Sequence, residues 1–324
     1  MKAIVCRELG PPEKLVFEDV QLAPVGPNDV RIKVAAAGVN FPDTLIIEGK
    51  YQFKGTLPFT PGAELAGTVL EAGAKVRHVA VGDRVAALVP VGAYAEEVVA
   101  PADGVMKLPE DFDLNVAAGF TLAYGTTLHA LKQRAHLKPG ETLLVLGAAG
   151  GVGLAAVQLG KIMGARVIAA ASSAEKLALC RAQGADEVID YSKESLKEAV
   201  KKLTRGQGAD VIYDPVGGAL AQDCFSAINW NGRYLVVGFA SGTIPEVAMN
   251  RLLLKGAAAV GVFWGAFIVR EAKLNADNFA QLFAWQAEGR LKPYVSKTYP
   301  LAEAPRALRD MLERKVTGKI VLVP

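Results

Sequence analysis

The sequence predicts a two-domain α/β protein: a mainly antiparallel β-barrel unit joined to a doubly wound parallel sheet covered by helices on both faces. Two observations carry this. Roughly the first third of the chain alternates apolar and polar residues in short runs broken by turns, whereas from Thr142 onward apolar strands alternate regularly with helices of about ten residues. The size allows it as well, since 324 residues with 51% apolar and 21% charged content can bury two cores.

The elements follow in order. In "DVRIKVAAAG", Val30, Ile32 and Val34 alternate with Arg31 and Lys33, the period of a half-buried strand. "ELAGTVLEAG", "GDRVAALV" and "GAYAEEVVAP" continue the pattern. From about Asn115 the period turns helical through "NVAAGFTLAYGTTLHALKQ". After "LKPGE" come the strand "TLLVLG", the helix "GLAAVQLGKIMG", the strand "ARVIAAA" and a helix from "SSAEKLALCRAQG". The alternation repeats through "DEVIDY", "KESLKEAVKKL", "ADVIYDPVGG", "ALAQDCFSAI", "GRYLVVGFA" and "GAAAVGVFWG". The tail holds a helix at "NADNFAQLFAWQAEGR" and a strand at "GKIVLVP", and is expected to pack back on the first domain. The expected domains are therefore 1–118 with 263–324, and 119–262.

Charge and cysteines exclude several classes. Lys and Arg number 36 against 33 Asp and Glu, a net +3 without long single-sign runs, which argues against nucleic acid or an anionic membrane as a partner. Cys6, Cys180 and Cys224 are scattered, unlike the paired spacing of disulfide frameworks or structural zinc sites, and fit a reducing compartment. The amino terminus has too short an apolar stretch for a secretory signal, and no run approaches the roughly 18 apolar residues of a membrane span, so the cytoplasm is the expected location.

The motif that carries chemistry is "LGAAGGVG". Gly147, Gly150, Gly151 and Gly153, with Ala149 and Val152 among them, stand between a strand at 143–146 and a helix at 154–163, with a second strand at 167–171. In that context the glycines allow a tight turn and close backbone approach, and the helix aims its free N–H groups at a pyrophosphate. NAD-preferring sites place Asp or Glu at the end of the second strand. This chain has "AAASSAEKL" instead, whose Ser172, Ser173 and Lys176 suit a 2′-phosphate, so NADP(H) is the expected cofactor. The same serines read also as a helix cap, and the two readings are compatible.

At this point the chain resembles a family, the zinc-independent quinone oxidoreductases (zeta-crystallin-like) among the medium-chain dehydrogenase/reductases. The resemblance runs over nearly the whole chain, on "GVNFPDTLIIEGKY", "PGAELAGTV", "GDRVAAL", "GAYAEE", "TLAYGTT", "LVLGAAGGVG", "YDPVGG" and "TGKIVL" in the family's order. It implies a GroES-like substrate domain and a Rossmann domain. Metal-using relatives carry a zinc-binding Cys where this chain has Asn40 and a His where it has Ala63, and neither side chain present replaces a thiolate or imidazole at about 2 Å from zinc. No metal is expected at this site, and His78, His129 and His136 read as structural or solvated.

Without a Lewis acid, hydride transfer suits an acceptor that is already electrophilic, a quinone or conjugated carbonyl whose developing oxyanion hydrogen-bond donors can meet. The resemblance places Asn40, Tyr51 and Thr126 beside the nicotinamide and substrate. Asn40 is expected to donate its amide N–H, and Tyr51 is a candidate proton source or a shape-setting aromatic. Some relatives carry a second tyrosine where this chain has Leu45. Asp43 is expected to order its own loop. The resemblance also implies cofactor contacts from Tyr191, from Val237, Gly238, Phe239 and Ala240, from Phe263 and from Lys319. "GAAAVGVFWG" reads as an exposed sheet edge that would pair with a second subunit, making a homodimer. Two other readings stay open, a reductase of 2-enoyl thioesters or enones, and a non-catalytic NADPH-binding, crystallin-like or RNA-binding protein.

Overall fold

The computed structural model describes residues 1–324. The chain forms two compact units, Met1–Leu122 with Tyr294–Pro324, and Ala123–Pro293.

The first unit opens with β1 (Lys2–Val5) and β2 (Val16–Asp19), an antiparallel pair. β3 (Asp29–Gly38) is the long central strand, with Val30, Ile32 and Val34 buried and Lys33 exposed, as its alternation requires. α1 (Phe41–Ile47) follows, with Pro42 in its first turn, where a missing N–H costs nothing, and Gly49 at φ +70° just beyond its end. β4 (Glu64–Ala72), β5 (Arg84–Leu88), β6 (Glu97–Pro101) and β7 (Val105–Lys107) come next, and then α2 (Leu114–Ala118), whose first amides bond to the Asp113 carboxylate.

The second unit begins at Ala123, within α3 (Thr121–Leu128), which continues into a π-helical stretch through Arg134 in which the Ala135 N–H reaches back to the Ala130 carbonyl. β8 (Thr142–Val145), α4 (Gly151–Ile162), β9 (Arg166–Ala171), α5 (Ala174–Ala182), β10 (Glu187–Asp190) and α6 (Leu196–Leu203) follow. The alternation then runs through β11 (Ala209–Asp214), α7 (Leu220–Ala227), β12 (Ile228–Val236), α8 (Asn250–Leu253) and β13 (Ala258–Gly261). The six strands form one all-parallel sheet in the order β10-β9-β8-β11-β12-β13. Leu143, Leu144, Val167, Ile168, Val211 and Ile212 are fully buried in it, the near-continuous apolar run of strands covered on both faces.

α9 (Trp264–Arg270) and α10 (Ala272–Ala287) correct the expected boundary, because residues 263–293 belong to the second unit. Trp264 is buried beside Phe279 and over Gly125, and Lys132 and Gln133 bond to Gln281 and Asn278 at 2.6 and 3.0 Å. Side-chain packing and paired amides tie these helices to α3 and its π extension. The chain then returns to the first unit as β14 (Val295–Pro300), α11 (Ala304–Leu312) and β15 (Lys319–Val323). The first unit's large sheet has the order β14-β15-β3-β4-β5-β7, with β6 also paired to β3, and all its pairings are antiparallel except β14 with β15.

Candidate active site

The first unit encloses a polar cluster in an otherwise apolar interior. β3 ends at Gly38, and Asn40 stands at the N-cap of α1. Across the sheet Glu64 starts β4, and β15 delivers Lys319 from the far end of the chain. Asn40, Glu64 and Lys319 are 6%, 0% and 6% exposed. The Lys319 ammonium donates to Asn40 Oδ1 at 2.6 Å, Glu64 Oε1 at 2.5 Å and the Val39 carbonyl at 3.1 Å, so each of its three protons has an acceptor. Glu64 Oε1 also accepts from Asn40 Nδ2 at 2.8 Å, and Oε2 accepts from the Leu122 N–H at 2.8 Å. Breaking one partner of a buried ion pair costs about 3–5 kcal/mol.

Asp43 lies in the first turn of α1, its Oδ2 accepting from the Asn40 N–H at 2.8 Å and the Tyr94 hydroxyl at 2.7 Å. Burial pushes its carboxyl up to about 6, against the pull of the Tyr94 and Asn40 hydrogen bonds and the Lys319 charge. Tyr51 is partly buried against the same core, and burial together with the Asp43 charge raises its phenol, which therefore keeps its proton at neutral pH.

The glycine loop lies at the carboxyl end of β8. Gly147 has φ +54°, and its carbonyl accepts from the Gly150 N–H at 2.9 Å to close the turn. A Cβ at Gly153 would lie 2.8 Å from Ala148 Cα and closer still to the Gly147 carbonyl, so only glycine fits there. Gly150 is the N-cap of α4 and offers no side-chain cap, which leaves the first amides of a 12-residue helix to an incoming anion. Ala149 is buried in the turn, and Gly151 and Val152 open the helix. The residues present therefore fit a dinucleotide pyrophosphate.

At the end of β9, Ser172 is exposed, and Ser173 caps α5 by accepting from the Lys176 N–H at 3.3 Å. Tyr191 follows β10, whose Asp190 pairs with Ala171, and its N–H bonds to the Ala171 carbonyl at 3.2 Å. The structure thus gathers Ser172, Ser173, Lys176 and Tyr191 at two adjacent strand ends. Val237 and Gly238 follow β12, their N–H groups bonding to the Asp214 carbonyl, and Phe239 lies against Gly217. Ala240 is exposed, Phe263 is 64% exposed at the N-cap of α9, and Thr126 is half-buried on α3.

Sequence reasoning missed Glu64, Tyr94 and Asp214. Asp214 orders the "DPVGG" loop, its Oδ1 accepting from Val216 and Gly217 N–H at 2.7 and 2.8 Å and its Oδ2 from the Tyr234 hydroxyl. The signal for Glu64 was an acid inside an apolar strand, "AELAG".

Residues 26–110 match the model of the alcohol dehydrogenase GroES-like domain, and residues 151–283 match that of the zinc-binding dehydrogenases. The chain is 42% identical to a quinone oxidoreductase-like protein 2 homolog of Nematostella vectensis, over 99% of this chain and 88% of the relative. It is 38% identical to a quinone oxidoreductase of Pseudomonas aeruginosa, over 100% and 99%. The solved quinone oxidoreductase of Escherichia coli in complex with NADPH superposes with a TM-score of 0.93 at 31% identity, covering both chains fully. The zinc of the second family model does not fit the residues here. On the family resemblance Asn40 and Ala63 hold the positions of zinc ligands, and neither side chain is one; the Lys319 ammonium, 2.5 Å from Glu64 and 2.6 Å from Asn40, puts a fixed cation among the remaining oxygens and would repel a second. The three histidines are placed elsewhere: His78 bonds to the Val105 carbonyl, His129 stacks on Phe267, and His136 follows the π-helical stretch. With family models matching in both units and relatives aligned end to end, the chain belongs to the quinone oxidoreductase family of the medium-chain dehydrogenase/reductases.

Proposed function

We propose that this protein is an NADPH-dependent reductase that delivers hydride, without a metal, to quinones and related conjugated carbonyls. The observation that carries the reading is the second unit's pairing of a bare, glycine-shaped helix N-terminus with an acid-free end of β9. The backbone of Gly150–Gly153 would hold the pyrophosphate. Ser172, Ser173, Lys176 and Tyr191 would meet the adenosine half with its 2′-phosphate, where a carboxylate would repel it. Val237–Ala240 and Phe263 would line the nicotinamide half.

When bound, NADPH supplies the hydride. Asn40 Nδ2 meets the acceptor oxygen as negative charge gathers on it. Tyr51, held protonated by burial and by Asp43, is the proton source, and the family resemblance would add the Thr126 hydroxyl. Lys319 has no proton left for a cofactor oxygen, so its part is played through Asn40. We place the protein in the cytoplasm, supported by three buried, unpaired cysteines, and as a homodimer joined along β13.

The test follows the loss of NADPH absorbance with a benzoquinone, an enone and an enoyl thioester as acceptors. Turnover is expected with the quinone, and tight NADPH binding with no turnover on any acceptor would refute the reading. In Ser173→Ala/Lys176→Ala, affinity for NADPH is expected to fall by roughly tenfold or more with little change for NADH. Equal losses would show that the 2′-phosphate lies elsewhere.

A further inference from the structure

The amide of Asn40 has two nearly isosteric ends, and only its partners decide which end points where. Here the partners allow one answer. An ammonium can only donate and a carboxylate can only accept, so Oδ1 must face Lys319 and Nδ2 must face Glu64. The reverse flip would set the NH2 group against the ammonium and the carbonyl against the carboxylate, losing two charge-assisted bonds and making two repulsive contacts.

The surroundings are built around this arrangement. Asn40 occupies the N-cap of α1, where it forms a capping box with Asp43, whose carboxylate accepts from the Asn40 N–H at 2.8 Å. The Asp43 N–H also lies 3.0 Å from the Asn40 backbone carbonyl, which holds the turn that carries the amide. Two glycines leave room for the pair. A Cβ at Gly38 would stand 2.8 Å from Glu64 Cδ, and one at Gly119 would stand 3.1 Å from Lys319 Cβ and Cε. The three protons of Lys319 and both oxygens of Glu64 are taken. The second Nδ2 proton of Asn40 has only the Gly38 carbonyl at 3.4 Å, near the limit for a hydrogen bond. It is the one donor of the cluster that a stronger acceptor can claim.

We propose that Glu64 and Lys319 are positioning residues that lock the Asn40 amide in a single flip, leaving one Nδ2 proton for the oxygen of the electron acceptor. The inference rests on the reading that the protein reduces conjugated carbonyls, and it adds the device that aims the donor. Neither Glu64 nor Lys319 touches the acceptor.

The test is a mutant cycle. Lys319→Met alone strands a buried carboxylate and risks the fold, so the working variant is Lys319→Met/Glu64→Gln, which is neutral and keeps an acceptor for the Leu122 N–H. It is expected to bind NADPH within about twofold of wild type, while kcat for benzoquinone falls by roughly tenfold to a hundredfold. In an Asn40→Ala background the same pair of changes is expected to cost nothing further. Losses that multiply across the two backgrounds, or an unchanged kcat in the working variant, would overturn the proposal. A second readout needs no turnover. In nitrogen-labelled protein the two Nδ2 proton signals of Asn40, assigned by their loss in Asn40→Ala, are expected to be well separated in wild type and to converge in the working variant. If wild type reduces no acceptor, the functional reading fails, and these signals still decide the positioning: convergence supports it, and unchanged separation overturns it.

Discussion

Asp43 keeps one carboxylate oxygen, Oδ1, buried without a hydrogen-bond partner, and that is reflected in how it titrates. Burial lifts its carboxyl from 3.8 to about 6. A folded value above the unfolded one means that the folded state holds more protons between the two. The stabilising contribution of Asp43 is therefore whole below about pH 3.8 and is lost as the pH rises through about 6, a swing of ~3 kcal/mol. Asp43→Asn keeps an acceptor for Asn40 N–H and Tyr94 and removes the ionisation. Urea denaturation is expected to show wild type losing stability relative to this variant between about pH 4 and pH 7, and a constant difference would contradict the assignment. Single residues were legible where the chemistry was local. Asn40 stood out because its position resembles a metal ligand's, and Ser173 because a serine before a helical run caps it. The Glu64–Lys319 pair spans 255 residues, and no pattern in either neighbourhood names the other.

The strand–turn–helix of β8 and α4 shows why elements were easier to read than their docking. Its apolar run, its glycines and its helical period are all local signals. Packing confirms how tightly they bind the sequence: a Cβ at Gly160 would stand 2.6 Å from Leu143 Cδ2, so helix and sheet touch through a glycine. At Gly153 the obstruction is backbone, which cannot swing aside. Gly153→Ala is expected to destabilise the protein by ~1–3 kcal/mol and to weaken NADPH at least tenfold, read by thermal melts and fluorescence titration. An alanine that binds NADPH normally would mean that the turn relaxes freely. The periodicity of α10 was equally plain, but a period says that a helix has a buried face and nothing of what covers it. Its amide pairing of Asn278 with Gln133 bridges 145 residues, which is why the boundary expected at 263 lies at 293–294.

At the scale of the whole molecule, the parallel sheet ends on β13 with an unpaired edge, and Leu253, Leu254, Phe263 and Val269 are exposed by 64–79%. Exposed edges and apolar side chains of this kind invite a second copy. Ala259→Lys with Leu253→Asp changes only exposed positions of the single chain, and sedimentation is expected to turn a dimer into a monomer without lowering the melting temperature of the subunit. A wild-type monomer at micromolar concentration would rule the edge out. The second unit is continuous in sequence and is complete once residue 293 has been made. The first is not, because β15 inserts between β14 and β3 and brings Lys319 with it. On the ribosome, Glu64 emerges long before its cation, and until β15 is translated the carboxylate has no counterion and the Asn40 amide no fixed flip. Synthesis itself is then a timer: a chain that stalls late can own a finished nucleotide-binding fold and still lack the Glu64–Lys319 ion pair, so the second unit is complete before the polar cluster of the first.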